Sequence, residues 1–160
     1  MTKPFETLEP KLDSVLGEFV EHVWEGAMDS ATLELCRVRM AMLLGSEVDA
    51  ALRTPQANGS GAGGKGADGS GADSQGAQLE AKLAALSAWP TSSLFSDADR
   101  AALDFCEKYA IDPHTITDED CVEMNRWFSE PELTNLTFAL AVFESLIRSR
   151  VALAQLGLRD

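Results

Sequence analysis

The chain has 160 residues and a formal net charge of −13 at pH 7, with a pI near 4.4. This acidic balance argues against nucleic-acid and anionic-membrane partners, because both are bound through clustered lysine and arginine side chains. The length is most simply that of one domain, and it is short enough that oligomer formation would be unsurprising.

The sequence carries neither a leader pattern nor a membrane-span pattern. No N-terminal stretch joins basic residues to an apolar segment. The longest apolar run, within 133–158, is interrupted by Glu144, Arg148 and Arg150. We therefore expect a soluble cytoplasmic protein.

Cysteine and histidine spacing gives no sign of a metal or redox centre. Cys36, Cys106 and Cys121 are widely spaced and form no C-x-x-C pair, so free, buried thiols are expected. His22 and His114 are isolated and lack the spacing of paired metal ligands. The sequence predicts no metal and no cofactor.

Hydrophobic periodicity predicts two helices in the first part of the chain. The first spans about 5–25, with apolar residues at the i, i+3, i+4, i+7 spacing. The second begins near Ser30, is apolar around much of its circumference and is expected to be central. It is predicted to end at Gly45, because glycine after an apolar run stops a helix. Ser46 and Asp49 form a capping pair that predicts the start of another helix.

The segment 55–78 is dominated by glycine, alanine, serine and asparagine. Such a composition buries too little apolar surface to offset the entropy of ordering it, so a disordered loop is predicted at 55–78. A glycine-rich loop of this length spreads over about 25 Å, which spans the face of a small domain. It lacks the features of a phosphate-binding loop.

Capping signals predict the helices of the second half. After a short helix at 79–88, three such signals occur at Ser96, at Thr117 and at Ser129. The last opens the longest helix, which Gly157 is placed to cap. Since no segment shows period-two alternation, the fold is predicted to be all-α, with about seven helices.

Two stretches resemble a known family. ELCRVRMAMLLGSEVDAALR (34–53) resembles the glutamate, arginine, glycine, C-x-x-C and histidine segment of the carboxymuconolactone decarboxylase and alkylhydroperoxidase D-like family. LSAWPTSSLFSDADRAALDF (86–105) is similar to that family's tryptophan, phenylalanine-serine and acid-arginine-alanine signature, and ELTNLTFALAVFESLIRSRVAL looks like its closing helix. The resemblance implies one domain over 1–160, an alkylhydroperoxidase D-like helical bundle, and a homo-oligomer that is a dimer, trimer or hexamer.

The resemblance also assigns roles by position. Glu34 matches the family's proton-relay glutamate, Ser46 its first redox cysteine, Asp49 its second, and Arg53 its histidine. A thiol at the start of a helix becomes a reactive thiolate, whereas a serine hydroxyl there stays protonated and forms no disulfide. The resemblance therefore implies a member that lacks the redox chemistry.

Glu34 and Arg53 each have two kinds of interpretation. Glu34 is a candidate general acid or base, or else a structural partner of Arg37, Arg39 or Arg53. Arg53 has a planar, permanently charged fork suited to a carboxylate, so it either binds an acidic ligand or pairs with Glu34. Alternatively, it only complements the C-terminus of its helix.

Ser46, Glu47 and Asp49 are candidates at the helix start. Ser46 and Asp49 are candidate catalytic residues, although a serine nucleophile needs a neighbouring base and both residues are explained by capping. Glu47 is a candidate ligand contact on a first turn where an acid is favoured in any case.

The leading hypothesis is a non-redox protein of this family with a helical pocket near Gly45 and Ser46, which either binds a small acidic molecule or retains only a structural role. The first alternative is an acid–base enzyme of decarboxylase or isomerase type that uses Glu34 and Arg53. The second is a residual hydroperoxide reductase that uses a cysteine outside the motif, such as Cys36.

Overall fold

The computed structural model describes residues 10–54 and 70–157 of the chain. These residues form seven α-helices and no strand, which confirms the all-α prediction. The helices are α1 (Pro10–Trp24), α2 (Ser30–Leu43), α3 (Glu47–Ala51), α4 (Ser70–Ala84), α5 (Asp97–Ile111), α6 (Asp118–Trp127) and α7 (Glu130–Gln155). Within this described part, none of them is long and apolar enough to cross a membrane.

The predicted junction between α2 and α3 is confirmed. Helix α2 ends at Leu43, and Gly45 follows with a φ of 73°, a conformation that glycine adopts without strain. Ser46 caps α3 by accepting a hydrogen bond from the backbone N–H of Asp49. The chain thus turns sharply and places α3 directly beside α2.

Helix α2 is central, as predicted, because it is buried on opposite sides. Leu33, Cys36 and Met40 belong to a large core cluster that includes residues of α1, α5, α6 and α7. Leu35 and Val38 belong to a second cluster with residues of α4, α5 and the segment between them. A helix buried on both sides loses the polar stripe of a surface helix, which explains its weak amphipathicity.

The predicted loop at 55–78 is wrong at its C-terminal end. Helix α4 begins at Ser70, while 55–69 and the predicted helix start near residue 5 lie outside the described residues. Leu79 and Leu83 anchor α4 in the second cluster. Once packing fixes the helical turn that carries these two leucines, each further residue adds a backbone hydrogen bond at a low entropic cost. The alanine and glutamine residues before them therefore extend the helix towards its N-terminus.

The later helices start at the predicted caps. Capping boxes open three helices: Ser96 with Asp99 for α5, Thr117 with Asp120 for α6, and Ser129 with Glu132 for α7. Hydrogen bonds from Ser129 lower the pKa of Glu132, which favours the ionised carboxylate at the start of α7. Gly157 adopts a φ of 74° just after α7 ends, as predicted.

Asn135 on α7 holds the turn between α1 and α2. Its side-chain oxygen accepts a hydrogen bond from the backbone N–H of Met28 at 2.9 Å, and its amide nitrogen donates to the carbonyl of Val23 at 3.0 Å. The amide lies so close to Gly26 that a Cβ atom there would overlap it. The turn thus requires a residue without a side chain.

We expect Gly26→Ala to lower the free energy of unfolding by about 1–3 kcal/mol, because the new methyl group pushes Asn135 off its two backbone partners. Gly17→Ala is the matched control, since its Cβ would meet open space on α1. That control is expected to gain up to about 1 kcal/mol from the higher helix propensity of alanine. Urea unfolding monitored by circular dichroism compares the two, and equal effects would contradict the role of Asn135.

Candidate functional site

A cleft opens where α1, α7 and the segment that follows α3 meet. Its cavity volume is about 40 Å³, and the wider space of about 450 Å³ around it includes open solvent. Its walls are mostly apolar side chains, and four polar residues share the lining. The lining residues are Val20, Trp24, Arg37, Asp49, Leu52, Thr54, Phe143, Leu146, Ile147 and Arg150.

Glu34 lies behind this cleft in a fully buried ion pair. Its two carboxylate oxygens accept bonds from Nε of Arg37 at 2.8 Å and Nη2 of Arg37 at 2.9 Å. The backbone N–H of Thr54 donates to Glu34 at 3.2 Å and the Thr54 hydroxyl at 2.8 Å. Because Glu34 has no exposed surface, all of its partners belong to the protein, and it does not touch the cleft.

Arg37 connects this pair to the wall of the cleft. Its Nη1 donates to the carbonyl of Asp49 at 2.8 Å, and its Nη2 donates to the carbonyl of Leu52 at 2.7 Å. Both carbonyls lie at the C-terminal end of α3, where a cation is favourable. The unit formed by Glu34, Arg37 and Thr54, here called the Glu34 clamp, therefore fixes the segment 49–54 against α2.

Asp49 is buried, with 2% of its surface exposed, and is one of the residues that line the cleft. Its Oδ2 accepts a hydrogen bond from the Ser46 hydroxyl at 2.6 Å, and its Oδ1 pairs with Nη1 of Arg150 on α7. The structure thus brings two of the predicted site residues, Ser46 and Asp49, together beside an arginine. These contacts of Asp49 with Ser46 and Arg150 do not include the third group of a nucleophilic triad.

Arg53 and Glu47 lie away from this arrangement. The Arg53 side chain is 37% exposed, pairs with Glu80 on α4 at 3.3 Å, and donates to the carbonyls of Ala50 and Leu52. Glu47 is exposed on α3 and, like Arg53, is not part of the cleft lining. The place beside Glu34 that one interpretation gave to Arg53 is taken by Arg37.

Sequence reasoning missed Arg150 as a site residue. It follows Phe143 and Ile147 at helical spacing on α7, so all three face the cleft. The sequence did contain a signal for this residue, because Arg150 interrupts the longest apolar run of the chain. An arginine on the apolar face of a helix requires a partner, and here that partner is Asp49.

The three cysteines are free, and they differ in their exposure to solvent. Cys36 and Cys106 are buried between α2 and α5, as predicted, whereas Cys121 is exposed, so that part of the prediction is wrong. The hydrogen bond with Cys106 and burial raise the pKa of the Cys36 thiol well above its usual value. The thiol is therefore protonated at neutral pH and a poor nucleophile. In the described ranges, no group of three or more potential ligands is placed to hold a metal ion.

No protein-family profile matches the chain, and no curated protein matches it significantly. Membership of the carboxymuconolactone decarboxylase and alkylhydroperoxidase D-like family therefore stays a prediction from sequence. The function has to be inferred from the chemistry of the cleft.

We expect Glu34→Gln to lower the free energy of unfolding by about 3–5 kcal/mol, because it leaves the buried Arg37 charge without its counter-ion. Glu80→Gln is the matched control, since it breaks an exposed ion pair with Arg53 and should cost less than about 1 kcal/mol. Chemical denaturation of both variants makes the comparison. A loss for Glu34→Gln no greater than that for the control would show that the clamp does not stabilise the fold.

Proposed function

We propose that this chain is a non-redox, alkylhydroperoxidase D-like helical protein that binds a small acidic molecule in the cleft between α1, α3 and α7. The observation that carries the proposal is Arg150, a guanidinium at the edge of a mostly apolar cleft. Arginine binds carboxylates through a planar fork with two parallel hydrogen bonds. A cleft with apolar walls and a few polar groups is the usual form of a small-molecule site.

The two ion pairs beside the cleft differ in how much of the arginine side chain is exposed to solvent. The Arg37 side chain is 9% exposed and its partner Glu34 is sealed from solvent, whereas the Arg150 side chain is 16% exposed and its partner Asp49 lines the cleft. A ligand entering the cleft therefore reaches Arg150 without breaking the clamp. Charge-assisted hydrogen bonds to a ligand carboxylate would be strong there, because apolar walls lower the local dielectric.

The geometry supports binding more than either alternative. An acid–base enzyme that uses Glu34 and Arg53 needs both groups at the substrate, but Glu34 is sealed off and Arg53 lies outside the cleft. A hydroperoxide reductase needs an accessible thiolate. Cys36 is buried and protonated, and Ser46 and Asp49 carry oxygen where that chemistry requires sulfur.

We further propose that the protein acts in the cytoplasm as a homo-oligomer, either a dimer, a trimer or a hexamer. The three free cysteines are consistent with a reducing compartment. Val15 and Phe19 are large apolar residues on α1 that are 63% and 49% exposed, and Phe138 on α7 is 61% exposed. Exposed apolar side chains of this size support an interface between subunits.

Small carboxylic acids are expected to raise the midpoint of thermal unfolding of the wild-type chain, because a ligand that binds only the folded state stabilises it. Arg150→Gln should abolish this increase. Arg53→Gln is the matched control and should retain it, since Arg53 lies on the surface beside Glu80. Differential scanning fluorimetry with a panel of mono-, di- and tricarboxylates tests this. If no acid stabilises the wild type, or if Arg53→Gln alone loses the effect, the proposed site is wrong.

Light scattering coupled to gel filtration is expected to give a mass two, three or six times that of the single chain. Phe19→Asp should reduce that mass, because it places a charge within the proposed interface. Val122→Asp, at an exposed apolar position on α6, is the control and should not change it. A monomeric wild type would exclude the oligomer.

A further inference from the structure

We infer that the inner end of the cleft binds a small, unbranched monocarboxylate of the size of acetate, and that one of its oxygens accepts a hydrogen bond from Nη1 of Arg37. The inference rests on the proposed function of the cleft and adds the size of the acid and the group that binds it. It follows from an N–H group of Arg37 that the fold leaves unused, from the volume of the cavity and from the ion pairs around it.

The Arg37 guanidinium has one N–H group more than the fold uses. A guanidinium carries five N–H donors. Four of them bind the protein, because Nε and Nη2 donate to Glu34, Nη2 also donates to the carbonyl of Leu52, and Nη1 donates to that of Asp49. Within 10–54 and 70–157, the second N–H of Nη1 has no partner. The side chain is only 9% exposed, so this donor is nearly sealed from bulk water.

The unused donor faces the cavity. The donors of a guanidinium lie along the edges of one plane, so they point in different directions. In Arg37 one edge is taken by Glu34, and the end of the group is taken by the carbonyls of Asp49 and Leu52. The remaining edge, beside Nη1, lies away from Glu34. Because Arg37 lines the cleft and Glu34 is sealed behind it, this remaining edge is the one that meets the cavity.

The volume of the cavity limits the size of the acid. A cavity of about 40 Å³ accommodates about three water-sized groups, since one water molecule needs about 10–15 Å³ of such space. Formate and acetate are of this size. Val20, Leu52 and Ile147 are among the apolar residues of the lining, so a methyl group has apolar neighbours there. A branched acid would have to push apart side chains that are already closely packed.

A carboxylate in this position leaves the existing ion pairs intact. Asp49 keeps its hydrogen bond from Ser46 and its pair with Arg150, and Arg37 keeps its four bonds to the protein. No buried charge therefore loses its partner. The positive charge of Arg150 attracts an anion through space, which requires no free N–H group on that residue. The entering carboxylate exchanges part of its hydration for a charge-assisted hydrogen bond from Nη1 of Arg37.

The test is a titration of the full chain with acetate, followed by NMR through the side-chain N–H signals of Arg37 in isotope-labelled protein. We expect a saturable change of these signals with a Kd on the order of 1 mM, because so small a ligand makes few contacts. Acetamide keeps the shape of acetate but lacks its charge and should bind at least about tenfold more weakly. Pivalate, a branched monocarboxylate, should also bind at least about tenfold more weakly than acetate.

A pair of valine variants tests where the acid binds. Val20→Leu should weaken acetate binding by about tenfold, because it adds a methylene group to the wall of a cavity with little spare volume. Val122→Leu is the matched control, since Val122 is exposed on α6 outside the cleft, and it should leave the affinity unchanged. Circular dichroism confirms the helical content of both variants before titration. Equal affinities of the two variants would overturn the assigned position of the acid.

Larger acids separate the inference from the proposed function. If pivalate or benzoate binds as tightly as acetate, the size of the acid is wrong and the acidic-ligand function stands. The same holds for the donor if acetate binds without changing the signals of Arg37. If neither acetate nor a larger carboxylate binds, the inference and the proposed function are both wrong.

Discussion

The ion pair between Glu34 and Arg37 is the interaction on which the arrangement of the site depends. Burying both charges in the core carries a large desolvation penalty, and such pairs are tolerated only when hydrogen bonds satisfy the remaining polar atoms. Here Thr54 completes the shell of the carboxylate, and backbone carbonyls complete that of the guanidinium. In the described part of the chain, no buried side-chain nitrogen or oxygen lacks a hydrogen-bond partner. The penalty is thus offset by hydrogen bonds that also hold 49–54 against α2.

The two arginines that line the cleft differ in the groups to which they bind. Arg37 donates to the backbone of the segment that forms one wall of the cleft, while Arg150 reaches from α7 to the buried carboxylate of Asp49. Because the backbone of Asp49 is fixed by Arg37, its carboxylate is presented to Arg150 in a defined position. A rigid support of this kind is what a binding site requires, since mobile side chains lose entropy when a ligand orders them.

The sequence predicted the features that depend on local chemistry. The starts of α3, α5, α6 and α7 and the turn at Gly45 follow from capping side chains within a few residues of each helix end. The start of α4 was missed, because its glycine- and alanine-rich residues become helical only when Leu79 and Leu83 pack against α2. The local composition of a segment does not reveal its contacts with residues that are distant in the sequence.

The site was only partly predictable for the same reason. Ser46 and Asp49 were found through the spacing of a cap, whereas the arginine that Asp49 binds lies on the last helix, far along the chain. Arg53 fits the resemblance by position, yet the side chain beside Glu34 is that of Arg37, one helical turn away on α2. A position in a sequence motif indicates where the backbone lies. Which of the nearby arginine side chains pairs with Glu34 depends on tertiary packing.

The type of residue at the start of α3 decides whether a counter-ion is needed there. A cysteine pair at a helix start would need no counter-ion in its protonated or disulfide form. An aspartate buried at the same place carries a charge that must be paired. In this chain the pairing is made by Arg150, and the cation needed to stabilise Asp49 brings a guanidinium to the edge of an apolar cleft. The group that stabilises Asp49 is thus also the group on which the proposed carboxylate binding would depend.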